Sequence, residues 1–389
     1  MDEFDFVKLT ENSISSLANL ASALRIEEQL LYQALNLPAD QRYTPHRLHG
    51  GDRLVYRPHS LIRKIQRKIK KSILAELVRY PQYLYGSISD PDFPRDYISC
   101  VKVHCLSKSV LKIDITKFFD HIESSVVEDV FSDFFSFSPE VSDALTDICT
   151  LNGFVPQGAS TSSHLANLCF YKEEPRLARQ LSREGLKYTR LVDDITVSSI
   201  RANYDFSRVE SRIRGMIEGK GLSLNEGKSG VHYQGNTHVK VHGLRVNFPT
   251  PQMPQVEVNN IRAAVRQLEV LASQPNSRTS PDYRRLFERT SGRVNKLKRV
   301  GHAKYSRYRR VLKGILPLPS KKDLYRCVGL FDGVVADAAV ALDTYHYYAR
   351  YNRLQNRLNL VQRTYFAQAK AMRRALLDIR PTYNERKEH

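Results

Sequence analysis

The sequence predicts an α+β protein whose C-terminal part is helical, and three observations predict it. Between residues 110 and 247, short apolar runs alternate with helical stretches. Helical pattern resumes near Asn259, and from 337 to 380 it is long. Hydrophobic residues make up 41% of 389, enough core for two or three globular units. Taken in order, residues 1–40 read as two amphipathic helices. Ser16, Leu17, Leu20, Ala23 and Leu24 recur at helical spacing in the first, and Glu27 and Glu28 open the second. Residues 44–57, with Gly50-Gly51 between two extended stretches, predict a hairpin. A basic helix follows over about 60–80. Ile62, Ile65, Ile69, Leu74 and Leu77 are its apolar positions, and Arg63, Lys64, Arg67, Lys68, Lys70 and Lys71 form either a solvated face or a phosphate contact. Val110-Leu111-Lys112-Ile113-Asp114-Ile115 is a buried-type strand ending on an acid. Pro249, Pro251 and Pro254 punctuate the exit from the mixed region.

Sixty Lys and Arg face forty-one Asp and Glu, a net charge of +19. Such an excess favours a polyanion, because neutralised phosphates release their condensed counterions. No apolar run approaches the length of a membrane-spanning helix, so no membrane partner is expected. The five cysteines are scattered and form no C-x-x-C pair, which argues against a zinc site or a disulfide framework. The acidic start Met1-Asp2-Glu3-Phe4-Asp5 lacks the pattern of a signal peptide, and a reducing cytoplasm is the consistent expectation.

Asp193-Asp194 interrupts an apolar run over 191–199, and two buried carboxylates without partners are costly. A tight strand–turn–strand would present them at its tip. There they repel one another unless a cation intervenes, and Asp114 is the natural third ligand. Hard cations such as Mg²⁺ take carboxylate oxygens together with substrate phosphates. Two of them roughly 3.5–4 Å apart can activate a 3′-hydroxyl and stabilise a leaving pyrophosphate. An isolated Asp pair is more often a surface turn, so the reading rests on its surroundings.

Those surroundings resemble the reverse transcriptases of bacterial retrons and their defence-associated relatives over residues 40–315. Lys112-Ile113-Asp114-Ile115-Thr116-Lys117-Phe118-Phe119-Asp120 resembles the first catalytic motif, and Pro156-Gln157-Gly158 with Ser162 resembles P-Q-G-x-x-x-S. Tyr188-Thr189-Arg190-Leu191-Val192-Asp193-Asp194 is similar to the Y-x-D-D segment. Gly221-Leu222-Ser223-Leu224-Asn225-Glu226-Gly227-Lys228-Ser229 is similar to the motif after it, and His242-Gly243-Leu244-Arg245-Val246-Asn247 to the primer grip. Gly50-Gly51-Asp52-Arg53 and Ile65-Gln66-Arg67-Lys68-Ile69 fit fingers motifs.

The resemblance implies a right-hand polymerase with fingers, an antiparallel-sheet palm, a helical thumb and a C-terminal helical extension. Its segments would be N-terminal helices and fingers at 1–95, palm with part of the fingers at 96–250, thumb at 251–320 and extension at 321–389. It implies two Mg²⁺ ions, or Mn²⁺, on Asp114, Asp193 and Asp194, with the backbone carbonyl of Ile115 assisting. Phe119 stands where an aromatic blocks the ribose 2′-hydroxyl, its alternative role being core packing. Gln157 and Gly158 would border the incoming dNTP, Arg53 would grip its triphosphate, and Lys228 would serve as general acid. The expected partners are dNTPs, a template–primer duplex and a structured noncoding RNA in antiviral defence. Template-independent synthesis, and a non-catalytic RNA-binding protein on a polymerase fold, are the alternatives; the second would sit oddly with three intact aspartates. Leu191 replaces the usual aromatic, and Cys100-Val101-Lys102-Val103-His104 and Val241-His242-Gly243 depart from the retron N-A-x-x-H and V-T-G patterns. These departures point toward the unknown-group relatives.

Residues 284–313 carry twelve Lys or Arg against one acid, Glu288. Arg293, Lys296, Arg299 and Arg307, interleaved with Tyr305 and Tyr308, are the candidate nucleic-acid contacts of the thumb. Tyr347, Tyr351, Leu354, Leu358, Val361 and Tyr365 form an apolar seam with Arg350, Arg353, Arg357 and Arg363 off it. The tyrosines favour a self-association surface over simple packing on the thumb.

Overall fold

In the computed structural model, residues 3–47, 54–235 and 238–383 are described. The Ser16 hydroxyl accepts from the Asn19 amide and starts helix α1 (Leu17–Leu24), which α2 (Glu28–Leu35) follows. Strands β1 (Tyr43–Arg47) and β2 (Leu54–Pro58) pair antiparallel as the expected hairpin; its tip, with Gly50-Gly51 and Arg53, lies outside the described residues. Helix α3 (Ser60–Ile69) runs into a π-helical turn, Lys70–Ala75, so the single helix expected to reach Tyr80 ends earlier. The chain then turns into a two-residue strand, Val78–Arg79, which pairs with Val7–Lys8. Lys68, expected on the solvated face, is only 9% exposed.

The central sheet is assembled from β3 (Leu84–Tyr85), β4 (Ser109–Asp114), β5 (Lys187–Leu191), β6 (Asp194–Ser199) and β7 (Gly230–Tyr233), in the order β3-β5-β6-β4-β7. β3 runs parallel to β5 and every other pair is antiparallel. Between them in sequence come α4 (Tyr97–Val103), α5 (Phe118–His121), α6 (Pro139–Cys149), α7 (Ser162–Leu168), α8 (Glu174–Arg183) and α9 (Ser207–Glu218). Asp96 caps α4, and Ser138 followed by Pro139 opens α6. Register divides the sheet into two faces, because side chains alternate along each strand. Ile113 lies opposite Ile195, Leu111 opposite Val197 and Tyr188 opposite Val197, and this apolar face joins the core. Asp114 opposite Asp194, and Thr189 opposite Thr196, make the other face polar. A short hairpin, β8 (Lys240–Val241) and β9 (Leu244–Arg245), closes this first compact unit, Met1–Pro251. His242 and Gly243 both take positive φ there, as a two-residue hairpin turn requires.

In the second unit, Gln252–His389, every regular element among the described residues is a helix, joined by short loops. In α10 (Gln255–Ala272), α11 (Pro281–Arg299) and α12 (Lys304–Gly314), stripes including Ile261, Leu268, Val294, Leu297 and Leu312 are buried. Helix α13 (Lys321–Ala341) begins with a capping box between Ser320 and Asp323, and α14 (Tyr345–Val361) and α15 (Phe366–Ala375) complete the unit. The expected seam is present, and helices of its own unit cover it. Tyr347, Tyr351, Leu354, Leu358 and Val361 are buried in one cluster with Cys327, Val334 and Ala338 of α13 and Ala369 of α15. Tyr347 and Tyr351 donate their hydroxyls to the Ile379 and Leu376 carbonyls at 2.7 and 3.0 Å. The seam therefore packs neither on residues 284–313 nor on a second copy: helices of its own unit cover it, and it is closed to self-association.

Candidate active site

β4 carries six residues into the sheet and delivers Asp114 at its end, directly opposite Asp194, the first residue of β6. β5 and β6 form a hairpin whose connecting residues are Val192 and Asp193, so all three aspartates gather at one end of the polar face. Val192 sits at φ 61, a left-handed conformation that is an outlier for a β-branched residue. The Ile115 amide donates to the Asp193 carbonyl at 3.1 Å, tying the end of β4 to this turn. Asn225 donates its amide to the Asp114 carbonyl at 2.8 Å, bringing the loop that carries Lys228 alongside. Lys228 Nζ then lies 3.2 Å from Asp114 Oδ2, with the lysine side chain exposed and the aspartate mostly buried.

The electrostatics show a crowded negative cluster that Lys228 and Lys112 offset only in part. Asp194 is pushed up to about 6, first by burial and then by the Asp193 and Asp114 charges, while Lys228 and Lys112 pull it down. Among the described residues, no three His, Cys, Asp or Glu side chains are arranged to hold one ion between them. The donor set still suits hard divalent cations of the kind that use one or two carboxylates and complete their shells with substrate oxygens.

Beneath the carboxylates lies a polar chain that sequence reasoning missed. His104, fully buried, shares hydrogen bonds of 2.7 Å with Ser198 Oγ and 2.7 Å with Thr189 Oγ1. Burial holds it neutral, its pKa down to about 3. Cys100 Sγ donates to Thr189 Oγ1 at 3.3 Å and approaches His242 Nε2 at 3.6 Å. His242 Nδ1 in turn stands 3.7 Å from Asp194 Oδ2, and burial lowers its pKa to about 4. Cys100 and His242 are departures from the retron patterns noted above, and His104 keeps the histidine of N-A-x-x-H; that pattern was the one available signal.

The remaining expected site residues divide. Phe119, on α5, is partly buried against the core, its ring centroid 6.0 Å from that of Phe118. Gly158 has φ +112, and a Cβ there would meet the Tyr56 carbonyl oxygen at 2.8 Å. Tyr56 also donates its amide to the Gln157 carbonyl at 2.7 Å. The close approach that demands glycine is thus to the backbone of β2. Gln66, buried on α3, bonds Tyr43 Oη and the Ile148 carbonyl and reaches the Ser160 amide at 3.4 Å, anchoring the same loop. Arg293 and Arg307 are exposed in the second unit, whereas Lys296 is paired with Glu257 at 2.8 Å. Arg299 is exposed at the end of α11. Tyr308 is buried rather than displayed.

Residues 50–260 match the family described as reverse transcriptase (RNA-dependent DNA polymerase). The retron Ec48 reverse transcriptase of Escherichia coli is 42% identical over 333 residues, covering 83% of this chain and 82% of that protein. The retron Se72 reverse transcriptase of Salmonella heidelberg is 33% identical over 315 residues, covering 78% and 80%. A telomerase structure from Candida albicans aligns with a TM-score of 0.42 and 12% identity, covering 90% of this chain and 68% of that one. The departures at Leu191 and at Val241-His242-Gly243 therefore occur in a chain whose matched relatives are retron enzymes. With its motifs in order on a palm sheet and such relatives along most of its length, the chain belongs to the reverse transcriptases as a bacterial, retron-like RNA-directed DNA polymerase of right-hand fold.

Proposed function

We propose that this polymerase adds dNTPs to a primer end using two Mg²⁺ ions, or Mn²⁺, held by Asp114, Asp193 and Asp194. The observation that carries the reading is the cross-strand pairing of Asp114 with Asp194, with Asp193 at the adjoining turn. Such ions, when bound, activate the primer 3′-hydroxyl and take up charge on the leaving pyrophosphate. The chain's own residues do the rest. The Ile115 carbonyl adds an oxygen beside Asp114, and Lys228, 3.2 Å from Asp114, stands ready to protonate the pyrophosphate. Phe119 excludes the 2′-hydroxyl, Gln157 and Gly158 border the nucleotide, and Arg53 grips its triphosphate. Arg293, Lys296, Arg299 and Arg307 follow the phosphates of the template–primer duplex. A structured noncoding RNA as partner, in antiviral defence, is supported by the resemblance and by the +19 charge. Five free cysteines suit a reducing cytoplasm.

The test is primer extension by Asp193→Asn/Asp194→Asn. Amides keep the shape and lose the charge, so dNTP incorporation should fall by about 10³-fold or more while melting stays cooperative. Undiminished incorporation by the folded variant removes these residues from catalysis. Extension that continues with the RNA template omitted would instead indicate untemplated synthesis.

A further inference from the structure

Among the described residues, Arg190 is the largest fully buried side chain, at 0% exposure. A guanidinium carried away from water needs both a counter-charge and partners for its donors. Arg190 has them. Nε and Nη2 form a two-pronged bond to Glu174 Oε1 and Oε2, each at 2.7 Å. Nη2 also donates to the Asn167 carbonyl at 2.9 Å, and Nη1 donates to the carbonyls of Ala166 at 3.3 Å and Val192 at 3.2 Å. Its flat face lies over the Phe170 ring, 5.3 Å from the centroid. Tyr188 shares the same acid, donating its hydroxyl to Glu174 Oε1 at 2.7 Å.

One side chain thus joins the first residue of α8, the last turn of α7 and the hairpin turn that bears Asp193. The Val192 conformation is strained for a β-branched residue and persists only if its surroundings hold it. Both carbonyls of the turn are held: Val192 by Arg190, Asp193 by the Ile115 amide. At its other end, α7 is tied to the Gln157-Gly158 loop, because Ser162 Oγ donates to the Pro156 carbonyl at 2.7 Å.

We propose that Arg190 is a positioning residue: a buried cationic strut that keeps the Val192-Asp193 turn in its left-handed form and joins it to α7. The catalytic carboxylates and the Gln157-Gly158 loop then move as one body. This rests on the reading of Asp193 as a catalytic carboxylate. It assigns Arg190 no contact with substrate.

A buried ion pair that merely stabilises the fold predicts a different result from the right variant. Arg190→Met/Glu174→Gln removes both charges together, which is far gentler on folding than breaking the pair, and leaves Tyr188 an amide oxygen as acceptor. Mn²⁺ affinity is read by electron paramagnetic resonance, alongside melting, kcat and the KM for dNTP on a primed RNA template. The strut predicts a folded variant that binds Mn²⁺ about 10-fold more weakly. It also predicts a kcat lower by about 10–100-fold and a raised KM. Parental Mn²⁺ affinity and kcat in the folded double variant overturn the proposal, and a lowered kcat with parental KM overturns the coupling to the loop. Should the double variant fail to fold, Arg190→Lys decides. It keeps the charge but loses the fork, so the strut predicts weakened Mn²⁺ binding at near-parental melting, and parental binding overturns it. Asp193→Asn in the parent is the control. If it leaves Mn²⁺ binding unchanged, the metal reading has failed rather than the strut.

Discussion

The two units of this protein handle charge in opposite ways. In Met1–Pro251 the charges that matter are individually placed: Arg190 against Glu174 with neither exposed, Arg95 against Asp90, Lys228 against Asp114. In Gln252–His389 the basic residues of α11 and α12 mostly stand at the surface, over a core made of aliphatic and aromatic stripes. The difference teaches what each can do. A carboxylate cluster able to hold ions needs positions accurate to fractions of an ångström, which rigid strands with buried anchors supply. A phosphate backbone is recognised by summed charge, which tolerates mobile side chains.

Breaking the second unit's aliphatic order should have the largest effect on stability. Leu358→Ala, at 0% exposure inside the seam, should destabilise that unit by about 2–4 kcal/mol in denaturant titration, with particle mass unchanged by light scattering. A smaller particle with parental stability would reopen the interface reading. The first unit should be sensitive to single side chains at its polar end. Phe119→Ala should relax discrimination against ribonucleotides by at least about tenfold while retaining deoxynucleotide incorporation, measured as the ratio of kcat/KM values. Unchanged discrimination would return Phe119 to core packing.

In the second unit no single charge should matter as much. Neutralising Arg293, Lys296, Arg299 and Arg307 together should weaken all duplexes alike. It should also flatten the plot of log affinity against log salt by about 0.9 per lost contact on B-form duplex. Lys296→Ala alone should contribute less than Arg293→Ala, because Glu257 already occupies Lys296. An unaltered slope means this face looks at solvent.

The smallest effect concerns pH. Asp194 holds its proton up to about 6 in the folded chain, above the ordinary carboxylate value. A raised folded pKa contributes stability at low pH that is lost as pH rises through about 6. In chelator, Asp194→Asn should therefore melt about 1–3 °C above the parent at pH 7, the gap closing below pH 4. A gap that persists at pH 4 would place its cause elsewhere.

The contrast between units also marks how far sequence reading reached. The strand ending at Asp114, the hairpin bearing Asp193 and Asp194, and the apolar stripe from Tyr347 to Val361 were all legible. Strand and helix periods are local, and a charged pair inside an apolar run advertises itself. The π-helical turn at Lys70–Ala75 was hidden, because one extra residue in a turn leaves the apolar spacing nearly intact. Gly158 could be recognised as a glycine needing room, but its neighbour, the Tyr56 backbone, is about a hundred residues away in the chain. The seam was found and its partner missed for the same reason. An amphipathic helix declares which face must be covered, whereas any apolar surface of matching shape can cover it.

What the sequence alone determined is the order of the motifs, the hairpin that presents two acids, and an excess of positive charge suited to a polyanion. Only the tertiary structure decided that Arg190 bonds the Val192 carbonyl of the aspartate turn, that His104, Cys100 and His242 form a polar chain reaching Asp194, and that α13 and α15 close the seam. Hydrophobic periodicity is written residue by residue. The pairing of a buried charge is not, because its partner is chosen by whichever segment the fold brings within hydrogen-bond reach, and burial penalises every arrangement that leaves it alone.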